Sequence, residues 1–237
     1  LEDLGIHIRP NTTIGAVLMI DNLFRDGYKS VFIGTGAEKP KSLGIRGETL
    51  GNVYFGLNYL ANPQGHKLGD RVAVIGMGNA AMDVARTALR QGARHVILFA
   101  RGKRIMASSN EVDYARLDGA EFVFGKQIQY IDENGPVFKT SIFDEEGHIV
   151  GFEEELEHIH ADSVIISVSQ MPRKKLVRTT DGLQADDRGN LIIDDQFMTT
   201  RPGVFAAGDV TTGPKTVVHA VEAAKQAAEA MDAYMRV

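Results

Sequence analysis

Apolar positions in this chain fall into short runs, and three of the runs end on glycine. Residues 31–33 (VFI) lead into Gly34-Thr35-Gly36, residues 72–75 (VAVI) into Gly76-Met77-Gly78, and residues 204–206 (VFA) into Ala207-Gly208-Asp209. Unbroken apolar runs of this length, without polar alternation, are the pattern of parallel strands buried on both faces. The same reading predicts strands over residues 6–8, 29–33, 72–75, 95–100, 121–124, 164–168, 190–194 and 204–207. Apolar spacing near 3.6 predicts helices over 14–25, 53–61, 111–117 and 215–235, and one that opens at the Gly76–Ala81 turn and closes at Gly92. Residues 1–5 read as the last turn of a helix closed by Gly5. Residues 128–160 change character: β-rich segments with acidic turns predict antiparallel hairpins, a β excursion within an α/β unit. Residues 36–69 read as a crossing between two domains, the second beginning at residue 70.

Composition narrows the class without setting the function. The chain has 237 residues, 43% hydrophobic and 24% charged, with a net charge of −5. Mild acidity argues against broad nucleic-acid binding, which needs basic surface. There is no cysteine, which excludes disulfides, thiolate metal sites and iron–sulfur ligation by these residues. No apolar run approaches the roughly 20 residues that span a bilayer, and no signal peptide is visible. A cytoplasmic location is expected. A start at Leu1, inside the end of a helix, reads as a fragment of something longer.

The stretch 71–101 carries the chemistry. Gly76-Met77-Gly78-Asn79-Ala80-Ala81 has the G-x-G-x-x-[GA] spacing, with a strand before it, a helix after it and a second strand at the right distance. The first glycine permits a tight turn, the second lets a pyrophosphate approach the backbone, and a small third residue lets the helix lie on the strand. Free N–H groups at the helix start, with the helix dipole, make an anion site. An Asp or Glu at the end of the next strand would hold the ribose 2′-OH of NAD. Here that strand ends in Ala100-Arg101-Gly102-Lys103-Arg104. Basic residues there favour the 2′-phosphate of NADP, with Arg101 first and Lys103 and Arg104 beside it. The bland alternative is a solvated basic loop. Asp209, at a strand end beside a helix start, suits a ribityl hydroxyl, although Gly-Asp is also a common turn. The seven histidines show no metal spacing; His158 and His160 read as surface residues. No nucleophile–base set stands out, which suits hydride transfer, where the cofactor carries the chemistry.

Four segments together resemble the small (beta) subunit of bacterial glutamate synthase and its NADPH-dependent, FAD-containing relatives in the pyridine nucleotide-disulfide oxidoreductase superfamily. They are VFIGTGAEKP at 31–40 with LGIRGE at 43–48, VIGMGNAAMDVARTALR at 74–90, Met106 through Glu111-Val112, and GVFAAGDV at 203–210 followed by GPKTVV at 213–218. The resemblance covers nearly the whole chain. It implies an α/β fold of two Rossmann-like units, with an NADP-binding domain at 70–169 inserted in a partial FAD-binding domain at 1–69 and 170–237. It implies that Gly76, Gly78, Asn79, Ala80 and Ala81 form the NADPH pyrophosphate turn, that Arg101 contacts the 2′-phosphate, and that Ser167 and Val168 pass under the nicotinamide side. On the FAD side it implies Gly36, the ribityl contact at Gly208 and Asp209, and the helix start at Thr216 and Val217 near the flavin ring. The chain departs from the family pattern in four places. The N-terminal βαβ unit with the FAD phosphate loop and the cysteine-rich segment have no match, so an N-terminally truncated fragment is expected, with FAD belonging to the full-length protein. Ala100 stands where relatives often have the first of two arginines. Ser169 replaces an expected glycine, with a changed backbone expected there. The activity implied is hydride transfer from NADPH to FAD, with electrons passing to an iron–sulfur partner or large subunit. The alternative is a non-catalytic NADP(H)-binding or assembly module.

Overall fold

The computed structural model describes residues 2–236, which form two compact units. One comprises residues up to 39 together with those from 170 onward; the other is Pro40–Ser169. In chain order the elements are α1 (Ile20–Arg25), β1 (Val31–Ile33), β2 (Val53–Phe55), α2 (Gly56–Ala61), β3 (Arg71–Ile75), α3 (Asn79–Arg90), β4 (His95–Phe99), α4 (Ser109–Leu117) and β5 (Glu121–Val123). Then come β6 (Lys126–Asp132), β7 (Gly135–Phe143), β8 (Ile149–His158), β9 (Ser163–Ile166), α5 (Lys175–Thr179), β10 (Val204–Ala206), α6 (Asp209–Thr212) and α7 (Val217–Met235).

The 40–169 unit is built on a five-stranded parallel sheet of order β2-β9-β3-β4-β5. Residues 72–75 of β3 and all of β9 are buried, as the unbroken apolar runs require. One face packs on α3 and α4 through Val72, Val74, Met82, Val84, Leu98 and Ile165. The opposite face packs on the antiparallel meander β6-β7-β8, with Phe138 stacked on Phe99 at 4.7 Å. Alanines at 81, 85 and 88 give α3 a smooth buried stripe, so the helix can approach the sheet closely. Its C-terminus is closed by Gly92 at φ +103°. The Gly92 N–H donates to the Leu89 carbonyl and the Ala93 N–H to that of Ala88, so both bonds of a Schellman motif are made. Gly119 and Ala120 close α4 with the same pair of bonds, to Arg116 and Ala115.

In the other unit β1 and β10 pair in parallel, Ile33 opposite Ala206. Their core gathers Ile20, Leu183, Leu191 and Val210. Helix α7 lies against β10, with Tyr234 edge-on to Phe205, and Ala227 is its buried residue. Among the described residues no helix is long and apolar enough to cross a membrane.

Several expectations differ from the structure. Residues 6–8 form no strand: no β partner lies beside them, and Ile6 and Ile8 are exposed. The helix expected over 14–25 starts only at Ile20. Gly15, at φ +81°, instead opens a tight turn in which its N–H donates to the Leu18 carbonyl, and this leaves Val17 in solvent. Residues 53–61 split into strand β2 and helix α2. Because β2 extends the sheet beside β9, residues 40–69 of the segment expected to cross between domains belong to the 40–169 unit. Residues 190–194 make isolated bridges, Ala185 with Leu191 and Ile193 with Thr199, rather than a sheet strand. Of the expected N-terminal helical turn, residues 2–4 form a 3-10 turn ahead of Gly5 at φ +79°, and Leu1 lies outside the described residues.

Candidate functional site

The parallel strands β2, β9, β3 and β4 end level, at Phe55, Ile166, Ile75 and Phe99, so the loops leaving them share one edge. The chain runs from β3 outward through β4 to β5, and β9 enters on the other side of β3. The β3/β9 boundary is therefore a topological switch point, where open α/β sheets form a ligand crevice. Two segments flank it: the glycine turn after β3, and Ser167-Val168 after β9. They are in backbone contact: the Ser167 N–H donates to the Ile75 carbonyl at the head of the turn (2.8 Å), while the Gly76 N–H ties the turn to the end of β4 at the Phe99 carbonyl (2.9 Å). Val168 packs into the core on the meander side.

The two glycines of the turn do different work. Gly76 has φ +130°, and a Cβ there would lie 2.2 Å from the Ser167 carbonyl oxygen, so side chains are excluded by the fold itself. Gly78 has φ −92° and ψ 177°, a region open to any residue, and a Cβ there would meet nothing within 4 Å. Nothing in the chain demands glycine at 78; the bare backbone leaves room for something outside the chain. Gly78 caps α3, whose first helical residues are Asn79, Ala80 and Ala81; the Ala81 N–H turns back to the Gly78 carbonyl (2.9 Å), which leaves the helix start at Asn79 and Ala80 as the place where N–H groups lack intrahelical partners. Ala81 is fully buried against the sheet, as a small third residue should be. The segment thus presents bare backbone and N–H donors at a helix dipole's positive end, which fits a pyrophosphate.

The basic loop after β4 is anchored over this turn. The N–H groups of Met106 and Ala107 both donate to the Met77 carbonyl, at 3.0 and 3.1 Å, and the Ser108 N–H donates to Asn79 Oδ1 at 2.9 Å. On its other side the meander holds it: Ser141 Oγ donates to the Arg101 carbonyl (3.1 Å), and the Lys103 ammonium lies 4.6 Å above the Phe143 ring. Arg101, Lys103 and Arg104 are all exposed, and neither guanidinium has an acidic partner among the described residues. Elsewhere in the unit, Arg86 is fixed between Asp118 (2.9 Å) and Glu111 (3.3 Å), and its hydrogen bond holds the Asp118 carboxyl below the usual carboxylate range. Two uncompensated arginines at the end of β4 suit a phosphate monoester.

Ser169 has φ +109°, in the region that favours glycine, so the serine keeps a glycine-type backbone where a changed one was expected.

The remaining expected residues gather in the first unit. Gly36 (φ +64°) follows β1, and Gly208 (φ +80°) follows β10, at the same edge of the parallel pair. Asp209 opens α6, and its Oδ1 accepts from the Lys215 N–H at 3.0 Å. Thr216 caps α7, its Oγ1 2.6 Å from His219 Nδ1, and Val217, the first helical residue, is exposed. Gly208, Asp209, Lys215 and His219 line a cleft of about 230 Å³.

Comparison with known proteins places this geometry. Residues 5–224 match the pyridine nucleotide-disulphide oxidoreductase family. The chain belongs to that family. The chain is similar to the glutamate synthase [NADPH] small chain of Escherichia coli K12, with 30% identity over 99% of this chain and 56% of the relative. It is similar also to the NADP(+)-dependent formate dehydrogenase subunit beta of Moorella thermoacetica, with 33% identity over all of this chain and 36% of that one. The chain therefore spans roughly half or less of these relatives. Among solved structures, thioredoxin reductase of T. acidophilum superimposes with a TM-score of 0.69 and 26% identity over 88% of this chain and 66% of that one.

In this family member, sequence reading found the glycine turn and the basic loop but not their connection. The Met77 carbonyl, the Asn79 side chain as acceptor, Ser141 and Phe143 were all missed. So was Gly56, where a Cβ would lie 3.0 Å from Ser167 Oγ. Asn79 was legible only as a motif position; its partner lies 29 residues away.

Proposed function

We propose that this chain is the NADP(H)-handling part of a flavoprotein oxidoreductase of the glutamate synthase small-subunit type. The 40–169 unit is the NADP(H) domain, inserted in a partial FAD domain formed by the segments on either side. Gly76, Gly78 and the first turn of α3, from Asn79 to Ala81, take the pyrophosphate. Arg101 and Arg104, with Lys103, take the 2′-phosphate, and Ser167 and Val168 border the nicotinamide end. Gly36, Gly208, Asp209, Thr216 and Val217 serve FAD in the longer protein. When bound, the two cofactors supply the chemistry: a hydride passes from nicotinamide to flavin. The chain's own residues bind, orient and select; no side chain is needed as acid or base. An iron–sulfur partner or a companion subunit would be the electron acceptor beyond the flavin. One relative is a small chain and the other a subunit beta, which supports a companion subunit as the destination.

The carrying observation is the pair of uncompensated arginines at the end of β4, where an NAD site would place an acid. Parallel titrations with NADPH, NADH and FAD test the reading. NADPH is expected to bind at least tenfold tighter than NADH, one charge-assisted phosphate contact being worth about 1.5–3 kcal/mol. Equal affinities refute the NADP assignment. The alternative, a non-catalytic NADP(H)-binding or assembly module, draws on the first unit's two-stranded parallel sheet. A colourless longer protein that cannot oxidise NADPH with an artificial acceptor would favour it.

A further inference from the structure

We infer that the Asn79 side chain is a specificity-determining positioning residue: it latches the 2′-phosphate loop onto the glycine turn rather than touching the nucleotide. The proposal rests on the NADP reading of that loop. Asn79 is the first residue of α3, so its own backbone N–H faces the pyrophosphate position, but its amide oxygen is committed elsewhere, accepting from the Ser108 N–H at 2.9 Å. That bond is the last of three in a row. Met106 and Ala107 donate to the carbonyl of Met77, two residues before Asn79, and Ser108 donates to Asn79 itself. Ser108 is in turn the N-cap residue of α4, so the latch fixes both the end of the loop and the start of the next helix. The loop's front end is held separately, by Ser141 Oγ on the Arg101 carbonyl. Arg101 to Arg104 are therefore suspended between two anchors, one on the meander and one on the pyrophosphate turn itself.

The consequence is a mechanical coupling between two anion subsites. Selectivity for a 2′-phosphate requires guanidinium groups at a set distance from the pyrophosphate. Two of the three latch bonds use backbone at both ends and survive a side-chain change at position 79. The third depends on a side chain with an acceptor oxygen at position 79. Asparagine supplies that acceptor without charge; aspartate would supply it with a negative charge beside the phosphates.

The test uses 2′,5′-ADP and 5′-ADP as probes on the full chain, because their affinity ratio isolates the 2′-phosphate without nicotinamide or flavin. Asn79→Ala is expected to lower that ratio about three- to tenfold, the size of one lost hydrogen bond, chiefly by weakening 2′,5′-ADP. Hydrogen exchange of the ligand-free chain should quicken at the Ser108 amide and across 101–107. Asn79→Asp keeps the acceptor: loop protection and ratio should hold while both probes weaken together through repulsion. Arg101→Ala should lower the ratio roughly 10- to 150-fold. If Arg101→Ala lowers the ratio and Asn79→Ala weakens both probes equally with unchanged loop exchange, the latch is overturned and the NADP reading stands. If Arg101→Ala keeps the ratio, the NADP reading itself falls.

Discussion

At position 76 and position 78 the same residue type answers two different demands, and the difference is measurable. A methyl group at Gly76 meets the Ser167 carbonyl oxygen at 2.2 Å and must also adopt φ +130°. Backbone cannot retreat as a side-chain tip can, so Gly76→Ala is expected to cost on the order of 2–5 kcal/mol of stability, from strained φ plus overpacking. Gly78→Ala adds a methyl group that touches nothing in the chain, at φ/ψ values alanine accepts. Its stability should fall by only about 1 kcal/mol, the difference between glycine and alanine at an N-cap. Its affinity for NADPH should fall at least tenfold, because the methyl occupies the pyrophosphate's approach. Denaturant melts and NADPH titrations of the two variants separate these effects. A Gly78→Ala chain that binds NADPH normally would show that the pyrophosphate does not cross this turn.

Between elements, the tie that can be followed with pH is Arg86 to Asp118, which holds α3 to the end of α4. Arg86 Nε donates to Asp118 Oδ2 at 2.9 Å, Arg90 adds a second bond to the same oxygen at 3.1 Å, and the Asp118 carboxyl is held below its ordinary range, first by the Arg86 hydrogen bond. A carboxylate depressed in the folded state contributes stability above its unfolded pKa, about 3.9, and loses it as pH falls through the lower folded value. Asp118→Asn should therefore lower the thermal midpoint at pH 7, and the gap between parent and variant should close as pH falls below about 4. A gap that stays constant down to pH 3 would show that packing, not charge, carries the tie. Elements of this kind were legible in the sequence where their signals are local. The α3 stripe of small residues, its closing Gly92 and the apolar run of β3 all lie within a few residues of what they specify. Residues 14–25 misled because Val17, Ile20 and Phe24 keep helical spacing while Gly15 takes a left-handed turn that spacing does not register. Residues 53–61 misled because a three-residue strand that leads directly into a helix looks like the first turn of that helix. The latch between Asn79 and Ser108 is illegible for another reason: it needs the loop and the turn to meet, and only the level ends of β3 and β4 bring them together.

For the molecule as a whole, the two compact units make the cofactor assignments separable without reference to their mutual placement. Every residue assigned to NADP(H) lies between 40 and 169, and every residue assigned to FAD lies outside that range. The cores are separate as well: Val74, Met82 and Phe138 belong to clusters of the 40–169 unit, and Ile33, Leu191 and Val204 to that of the other. A ligand that binds only the native form of one unit stabilises that unit by RT ln(1 + [L]/Kd), about 2.7 kcal/mol at a hundredfold excess over Kd. Local opening in that unit is then slowed, whereas amides in an independent unit feel nothing. Hydrogen exchange with saturating NADPH should therefore slow at residues 76–82, 101–108 and 167–168 and leave 204–220 unchanged. FAD, if this chain retains it, should produce the reverse pattern, with slowing centred on Gly208 to Val217. NADPH protection that appears around Asp209 instead would place the nicotinamide cofactor in the other unit. It would leave the glycine turn after β3 as a structural turn alone, with the arginines of its neighbouring loop serving only to keep that surface in water.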